Sequence, residues 1–315
     1  MIIEDISSQS WGLKTYRNAL AKNGTKRAAI SLLLPTRGRP ELARRFLQSV
    51  YDTATDLSRI EVIIYVDEDD AASHAIDSER ISLTRITGPS SGMGYYNTCC
   101  MQQAGSDLLV LVNDDLVISS PAWDTRLLDA VRAYPDGLFL AYPNDGFKGE
   151  KLSTFPIISR RCAEVLGDPY PNAYSGAFID LHLFDVFRRL GYLGENRICY
   201  LPDVTFEHWH YRTGKAEIDD TYRRRKRFEA DATYLQLSTY RNVGARRLLA
   251  AIRNEPLPAY PASATHVANQ VGLTTLMALI LRFTFRDEGV PLRARLRRSL
   301  WFWARLVAAK ILPDA

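Results

Sequence analysis

The sequence predicts an α/β fold: a mostly parallel central sheet flanked by helices, with a helical appendage at the C-terminus. Three observations predict it. The runs at residues 28–34 (AAISLLL), 60–66 and 108–112 are unbroken apolar stretches, as expected of central parallel strands covered on both faces. Segments with helical periodicity separate them, which is the alternation of a doubly wound sheet. Each run stops abruptly at polar or conformationally special residues: Pro35-Thr36-Arg37, Asp67, and Asn113-Asp114-Asp115.

A chain of 315 residues fits one large α/β domain with an appendage, or two domains. The hydrophobic and charged fractions, 46% and 24%, are those of an ordinary globular protein and argue against a disordered chain. A formal charge of +4 is too small to point to nucleic acid. The four cysteines form no CxxC pair, which reads as a reduced protein without structural zinc. The first residues, Met1-Ile2-Ile3-Glu4-Asp5, lack the basic flank and long apolar core of a signal peptide, and no uncharged apolar run reaches the roughly 18 residues of a spanning helix. A cytoplasmic protein is expected, peripheral at most at the inner face of a membrane.

Residues 1–27 are polar and poorly periodic and read as an N-terminal arm. After the first strand, 41–51 places Leu42, Phe46, Leu47 and Val50 on one helical face. The second strand ends in Asp67-Glu68-Asp69-Asp70. A third strand is expected at 83–86, closing at Gly88-Pro89, and 92–103 reads as a loop entering a helix. Beyond the strand at 108–112, Ser120-Pro121 starts a helix to about residue 133, with proline in its first turn. Further strands are expected at 138–142, within 157–166 ahead of a helix, and at 204–211. Asp180 starts a helix carrying Leu183, Val186, Phe187 and Leu190. A charged helix is expected over 220–240. The catalytic domain is expected at 28–250, a proline-rich linker (EPLPAYPA) at 255–262, and the helical appendage at 262–315.

In open α/β sheets ligands sit beyond the carboxyl ends of the strands, so Thr36-Arg37, Asp67 and Asp115 should gather at one edge. Neither Gly-x-Gly-x-x-Gly nor Gly-Lys-Ser/Thr follows the first strand, which disfavours a dinucleotide-binding or P-loop protein. Asp and Asn at a strand end also serve as turn and cap residues. The segment Asp203-Val204-Thr205-Phe206-Glu207-His208-Trp209-His210 is the second informative stretch. Strand alternation puts Val204, Phe206, His208 and His210 on one face, where two imidazoles suit metal ligation or stand as structural histidines.

In order and spacing these pieces resemble a glycosyltransferase of the nucleotide-diphosphosugar (GT-A) fold, closest to family 2. The pieces are Pro35-Thr36-Arg37-Gly38-Arg39-Pro40, the strand ending at Asp67, Gly92-Met93-Gly94 leading to Asn97, and Asn113-Asp114-Asp115 in place of the DxD motif. The resemblance covers about residues 28 to 215. It implies transfer of a sugar from a UDP- or GDP-linked donor to an acceptor hydroxyl, with inversion, and a Mn2+ or Mg2+ cofactor. It implies a donor site formed by Pro35, Thr36, Arg37, Asp67, Asn97, Asn113 and Asp114, with Asp115, His208 and His210 as metal ligands. Asn113 replaces the usual first Asp, which removes one negative charge. Arg212 and Lys215 fall in a Gly-containing loop suited to a lid over the departing diphosphate. Asp180 matches the general base, with Asp203 and Glu207 as rivals and Asp145 reading as a turn residue. The acceptor is left open among a glycan, lipid-linked sugar, protein or small molecule. A non-catalytic nucleotide- or glycan-binding member of the same fold is the alternative. The C-terminal mixture of Arg293, Arg295, Arg297, Arg298 and Arg305 with Leu300, Trp301 and Trp303 suggests peripheral membrane contact or a homo-oligomer interface.

Overall fold

The computed structural model describes residues 28–209, 214, 228, 230–261, 267–268 and 271–311. The expected arm at 1–27, the candidate residues His210, Arg212 and Lys215, and the first part of the expected 220–240 helix lie outside the described residues.

The strands are β1 (Ile30–Thr36), β2 (Ile60–Asp67), β3 (Ser82–Gly88), β4 (Leu108–Leu111), β5 (Leu116–Ile118), β6 (Leu140–Asn144), β7 (Ile157–Ser159) and β8 (Ile198–His208). They form one sheet in the order β3-β2-β1-β4-β7-β6-β8-β5. The β3-β2-β1-β4 half is wholly parallel. β7 runs antiparallel to both β4 and β6, β6 pairs parallel with β8, and β5 pairs antiparallel with β8. The helices are α1 (Pro40–Thr53), α2 (Met93–Gln103), α3 (Trp123–Val131), α4 (Arg160–Leu166), α5 (Ile179–Tyr192), α6 (Ala230–Gln236), α7 (Ser238–Ile252), α8 (Leu273–Arg286) and α9 (Leu292–Ile311).

Every residue of β1 and β4 is buried, as the unbroken apolar runs require. One core layer packs Ile30, Leu32, Phe46, Val62, Val110, Trp123 and Phe206 on the α1 and α3 side. The other packs Leu33, Ile63, Leu109, Leu183, Phe187 and Leu248 with α2, α5 and α7. Phe302 of α9 and Ile280 and Phe283 of α8 belong to this second layer. In the segment expected to be a linker, Tyr260 stacks on Tyr240 at 4.1 Å and donates to Leu166 O at 2.8 Å.

Three elements depart from the sequence expectation. β8 begins at Ile198, ahead of the alternating stretch, because its first residues pair with β6; the register then jumps from Pro143↔Leu201 to Asn144↔Thr205 as the strand turns to β5. β5 is too short to show a period. α3 starts at Trp123 after Ala122 in the left-handed region, so Pro121 precedes the helix.

A buried charge network ties the C-terminal helices to α5. Asp185 accepts from Arg189 at 2.9 Å and Arg241 at 2.8 Å, and also from Arg298 of α9. Arg189 reaches Asp287 at 2.6 Å. Burial alone would raise the Asp185 carboxyl, but Arg189, Arg298 and Arg241 hold it well below the usual carboxylate range. Arg305 makes a two-pronged pair with Asp231 of α6. Removing one partner of such a network leaves buried charge uncompensated. Asp185→Ala is expected to lose about 3–5 kcal/mol in urea unfolding. A loss below about 1 kcal/mol, the scale of an exposed pair, would contradict this reading.

Candidate donor and metal site

Three neighbouring parallel strands, β2, β1 and β4, bring the acids together beyond their carboxyl ends. Register pairs Thr36 with Val66 and Leu33 with Leu111. Continuing the second pairing by three residues sets Thr36 against Asp114, and Thr36 Oγ1 donates to Asp114 Oδ2 at 2.9 Å. Arg39 pairs with the other oxygen of Asp114 at 3.2 Å. Asp67 is the last residue of β2, one step beyond Val66. It is 1% exposed and accepts from Arg37 and, at 3.1 Å, from the Tyr96 hydroxyl. Arg37 also reaches Asp69 at 2.7 Å, and Gly38 N donates to Asp70 at 2.7 Å, with Gly38 in the left-handed region that glycine favours. Pro35 lies within β1, its carbonyl side buried in the sheet.

α2 is pressed against the 171–175 segment. Met93 N donates to Ser175 O and Gly94 N to Tyr174 O, both at 3.0 Å, and a Cβ on Gly94 would collide with the Pro171 carbonyl. This close approach holds α2 where the Tyr96 hydroxyl reaches Asp67. Asn97 is 1% exposed, and its Oδ1 and the Oδ1 of Asp67 accept no hydrogen bond from the described residues. A buried acceptor left so costs about 1–3 kcal/mol, which a bound donor group would recover.

The β5–β8 pairing builds the second half. It sets Leu116 opposite His208, so the imidazole arrives beside the acid that precedes Leu116. His208 Nε2 lies 3.3 Å from Asp115 Oδ2, and Trp209 N donates to Asp115 O at 2.9 Å. Burial works to lower the His208 pKa, but the hydrogen bond to Asp115 and the fields of Asp115, Asp145 and Asp180 outweigh it, so the ring is more basic than usual. Val204 and Phe206, on the same alternation, are buried. Burial and the neighbouring Asp115 push Asp114 up to about 6, against Arg39 and Thr36. Asn113 sits half-buried at the turn, its carbonyl accepting from Leu116 N at 3.3 Å.

Asp180 lies within the first turn of α5, after Phe178 in the left-handed region, and accepts from Leu181 N at 2.7 Å. It is therefore inside the helix rather than its N-cap. Burial pushes its carboxyl up to about 6, opposed by the Leu181 N–H and the nearby His208. The rival Asp203 is exposed, and Glu207 accepts from the Trp209 indole at 3.3 Å. Asp145 is a turn residue: its Oδ1 accepts from Phe147, Lys148 and Gly149 N–H groups and its Oδ2 from Thr154.

Sequence reasoning did not single out Tyr96 or Arg45. Arg45 of α1 stacks over Trp209 at 4.3 Å within the field of Asp115 and Asp114, and burial lowers its pKa. Its Nε and Nη2 donate to none of the described residues. The available signal was the i, i+4 spacing of Arg45 and Ser49, which sets both beside the apolar stripe of α1.

Asp115 and His208 fit a divalent cation as an adjoining carboxylate and imidazole. Among the described residues they are not part of any cluster of three His, Cys, Asp or Glu with metal-site spacing, so other ligands would come from diphosphate, water or residues such as His210.

No family model matches the sequence, and no curated protein matches it. Solved structures do. S. aureus TarS 1–349 in complex with UDP is 13% identical over 90% of this chain and 92% of its own, with a TM-score of 0.50. This is the GT-A glycosyltransferase fold. A mannosyltransferase from Pyrobaculum calidifontis, in complex with GDP-Man and Mn2+, is 15% identical over 91% of this chain and 87% of its own, at TM-score 0.48. Against a longer S. aureus TarS structure, 14% identical over 71% of this chain at TM-score 0.47, the match spans 43% of that protein.

Proposed function

We propose that this protein is a metal-dependent, inverting glycosyltransferase that moves a sugar from a nucleoside-diphosphate donor to an acceptor hydroxyl. The observation that carries the reading is the contact of His208 with Asp115 at the sheet edge that also holds Asp67 and Asp114. The GT-A fold supports it, as does the UDP bound by the similar TarS 1–349.

Asp67, Tyr96 and Asn97 would take the nucleoside, whose polar edge satisfies the two buried acceptor oxygens through its N–H and O–H groups. Thr36, Asn113 and Asp114 would hold the ribose. Asp115 and His208 would hold Mn2+ or Mg2+, which supplies positive charge to the leaving diphosphate when bound. Arg39 and Arg45 lie beside these acids and extend that positive field. Arg212 and Lys215 follow β8 directly in sequence and are assigned the same task. Asp180 would take the proton of the acceptor hydroxyl as the sugar carbon bonds to that oxygen and the diphosphate departs. A carboxyl near 6 is mostly ionised at pH 7 yet basic enough to accept it. The replacement of the first DxD acid by Asn113 motivates the alternative, a binding protein without transfer; Asp115-dependent release of free sugar from a donor would exclude it.

The C-terminal helices are assigned to a membrane surface. Outward-facing Met277, Leu281 and Phe285 of α8 and Leu296, Leu300 and Val307 of α9 form exposed apolar stripes on two packed helices. Exposed Arg282, Arg286, Arg293 and Arg297 flank them, and this pairing of apolar surface with basic rims suits an anionic bilayer. A second copy would bring the same arginines against each other. No helix among the described residues is long and apolar enough to cross a membrane.

Calorimetry with UDP and GDP, each with Mn2+, should give binding to one of them that Asp115→Asn weakens by about tenfold or more. Binding of neither nucleotide would sink the reading. For transfer, kcat/KM should rise about tenfold per pH unit below 6 and level off above, since the basic form of Asp180 accumulates as pH passes its raised pKa. Asp180→Asn should cost about 10²–10⁴ in kcat while nucleotide binding stays intact; a flat pH profile with an active variant would exclude Asp180 as base. Vesicles containing phosphatidylglycerol should float the protein and release it at high salt, whereas neutral vesicles should not. Absence from both vesicle fractions would overturn the membrane assignment.

A further inference from the structure

We propose that the cleft between α5 and α9 is an anion subsite that binds a phosphate group of the acceptor. The proposal rests on the glycosyltransferase reading for the word acceptor, while the anion site itself stands on the cleft's own chemistry.

The cleft has a volume of about 300 Å³ and is lined by Leu181, Arg188, Ala294, Arg297, Arg298 and Trp301. Among the described residues three guanidiniums line it and no carboxylate does. Their charge is not cancelled from below. The buried network sets Arg189, Arg241 and Arg298 against Asp185 and Asp287, three positive groups against two negative, which leaves one positive charge in excess. His182, on the same helix, adds no charge to this, because burial and Arg241 drive its pKa well down and keep the ring neutral. Among the described residues Arg188 meets the neutral Tyr192 hydroxyl at 3.1 Å and the Phe184 ring, and no carboxylate. Arg297 is exposed and makes no ion pair with the described residues. The unbalanced charge of the cleft and its floor thus exceeds the single charge of a carboxylate and suits a phosphate, whose oxygens match the fork of a guanidinium.

The cleft is pre-organised. Arg298 is fixed by Asp185 and by the Tyr234 hydroxyl at 2.6 Å, so its remaining surface is presented without a further ordering cost. Trp301 is 42% exposed, and its ring stands 5.9 Å from Phe178, giving a flat apolar wall beside the cations. Such a wall suits the carbon skeleton of a sugar or polyol attached to the phosphate.

Its place explains its use. Leu181 follows Asp180, and Phe178 stands two residues before it, so one end of the cleft adjoins the candidate base. From Leu181 to Arg188 the cleft follows α5 for two turns, a span of roughly 10 Å. An acceptor with its reacting hydroxyl at Asp180 would therefore carry its phosphate within roughly that distance. The same chemistry fits a soluble sugar or polyol phosphate and the phosphate of a lipid headgroup.

The test titrates the full chain, with UDP and Mn2+ present to fill the donor site, with glycerol 3-phosphate in one arm and vesicles containing phosphatidic acid in the other. The comparison protein is Arg188→Ala/Arg297→Ala, which spares the buried network. Glycerol 3-phosphate should bind the wild type and bind the double variant about tenfold more weakly, as loss of charge-assisted hydrogen bonds requires. A tenfold loss with phosphatidic acid vesicles, absent both with glycerol 3-phosphate and with phosphatidylglycerol vesicles of equal surface charge, would assign the phosphate to a lipid headgroup. No binding in either arm, or equal binding by both proteins, overturns the proposal. UDP titrated alone reports separately on the donor site: its failure would remove the transferase reading and leave the anion result standing.

Discussion

Two buried carboxylates side by side, Asp114 and Asp115, are the constraint on which the site depends. Neither exceeds 6% exposure, so solvent does little to screen them. The fold answers with positive and proton-donating groups from four directions: Thr36 from β1, Arg39 beyond it, Arg45 from α1 and His208 from β8. The answer is incomplete, because Asp114 is still pushed up to about 6. A site that raises a carboxyl in this way favours an added cation, and a bound divalent ion relieves the same repulsion that it exploits. Stability and cation affinity are thus set by one electrostatic balance at the sheet edge.

A second balance lies further along α5, around Asp185. There the groups are mainly guanidiniums, and Asp185 is the anion that holds them together. Through Arg298 this network fixes α9 against α5, and through Phe178 and Trp301 it fixes the surroundings of Asp180. The C-terminal helices therefore pack into the body of the fold beside Asp180's helix rather than trail from it. The acidic sheet edge, the Asp180 carboxyl near 6 and the basic cleft beside it each have the chemistry that the proposed cation, proton and phosphate would need.

Much of this was legible in the sequence because it follows from strong local rules. Unbroken apolar runs announced β1, β2 and β4, and their acidic ends announced the site, since a buried strand has no reason of its own to finish in Asn113-Asp114-Asp115. Alternation through Val204, Phe206 and His208 gave the correct face of β8. What stayed hidden depends on distant pairing. β5 has only three residues, and its register with β8, not any pattern within it, delivers His208 to Asp115. Tyr96 gains its role from a close approach of backbones at Gly94 and Pro171. The Asp185 network was the plainest omission. His182 and Arg189 fall within the apolar face defined by Leu183, Val186 and Leu190, and a polar residue there signals buried partners rather than a solvated surface.

The central claim is that one cation and one nucleoside diphosphate meet at the end of β4. A crystal grown with Mn2+ and the nucleotide that binds, measured for anomalous scattering from manganese, tests it most directly. The account predicts a single strong peak in contact with Asp115 and His208, with diphosphate oxygens beside it and the base against Asp67. A nucleotide bound at this edge with its metal held elsewhere, or manganese bound away from both residues, would contradict it.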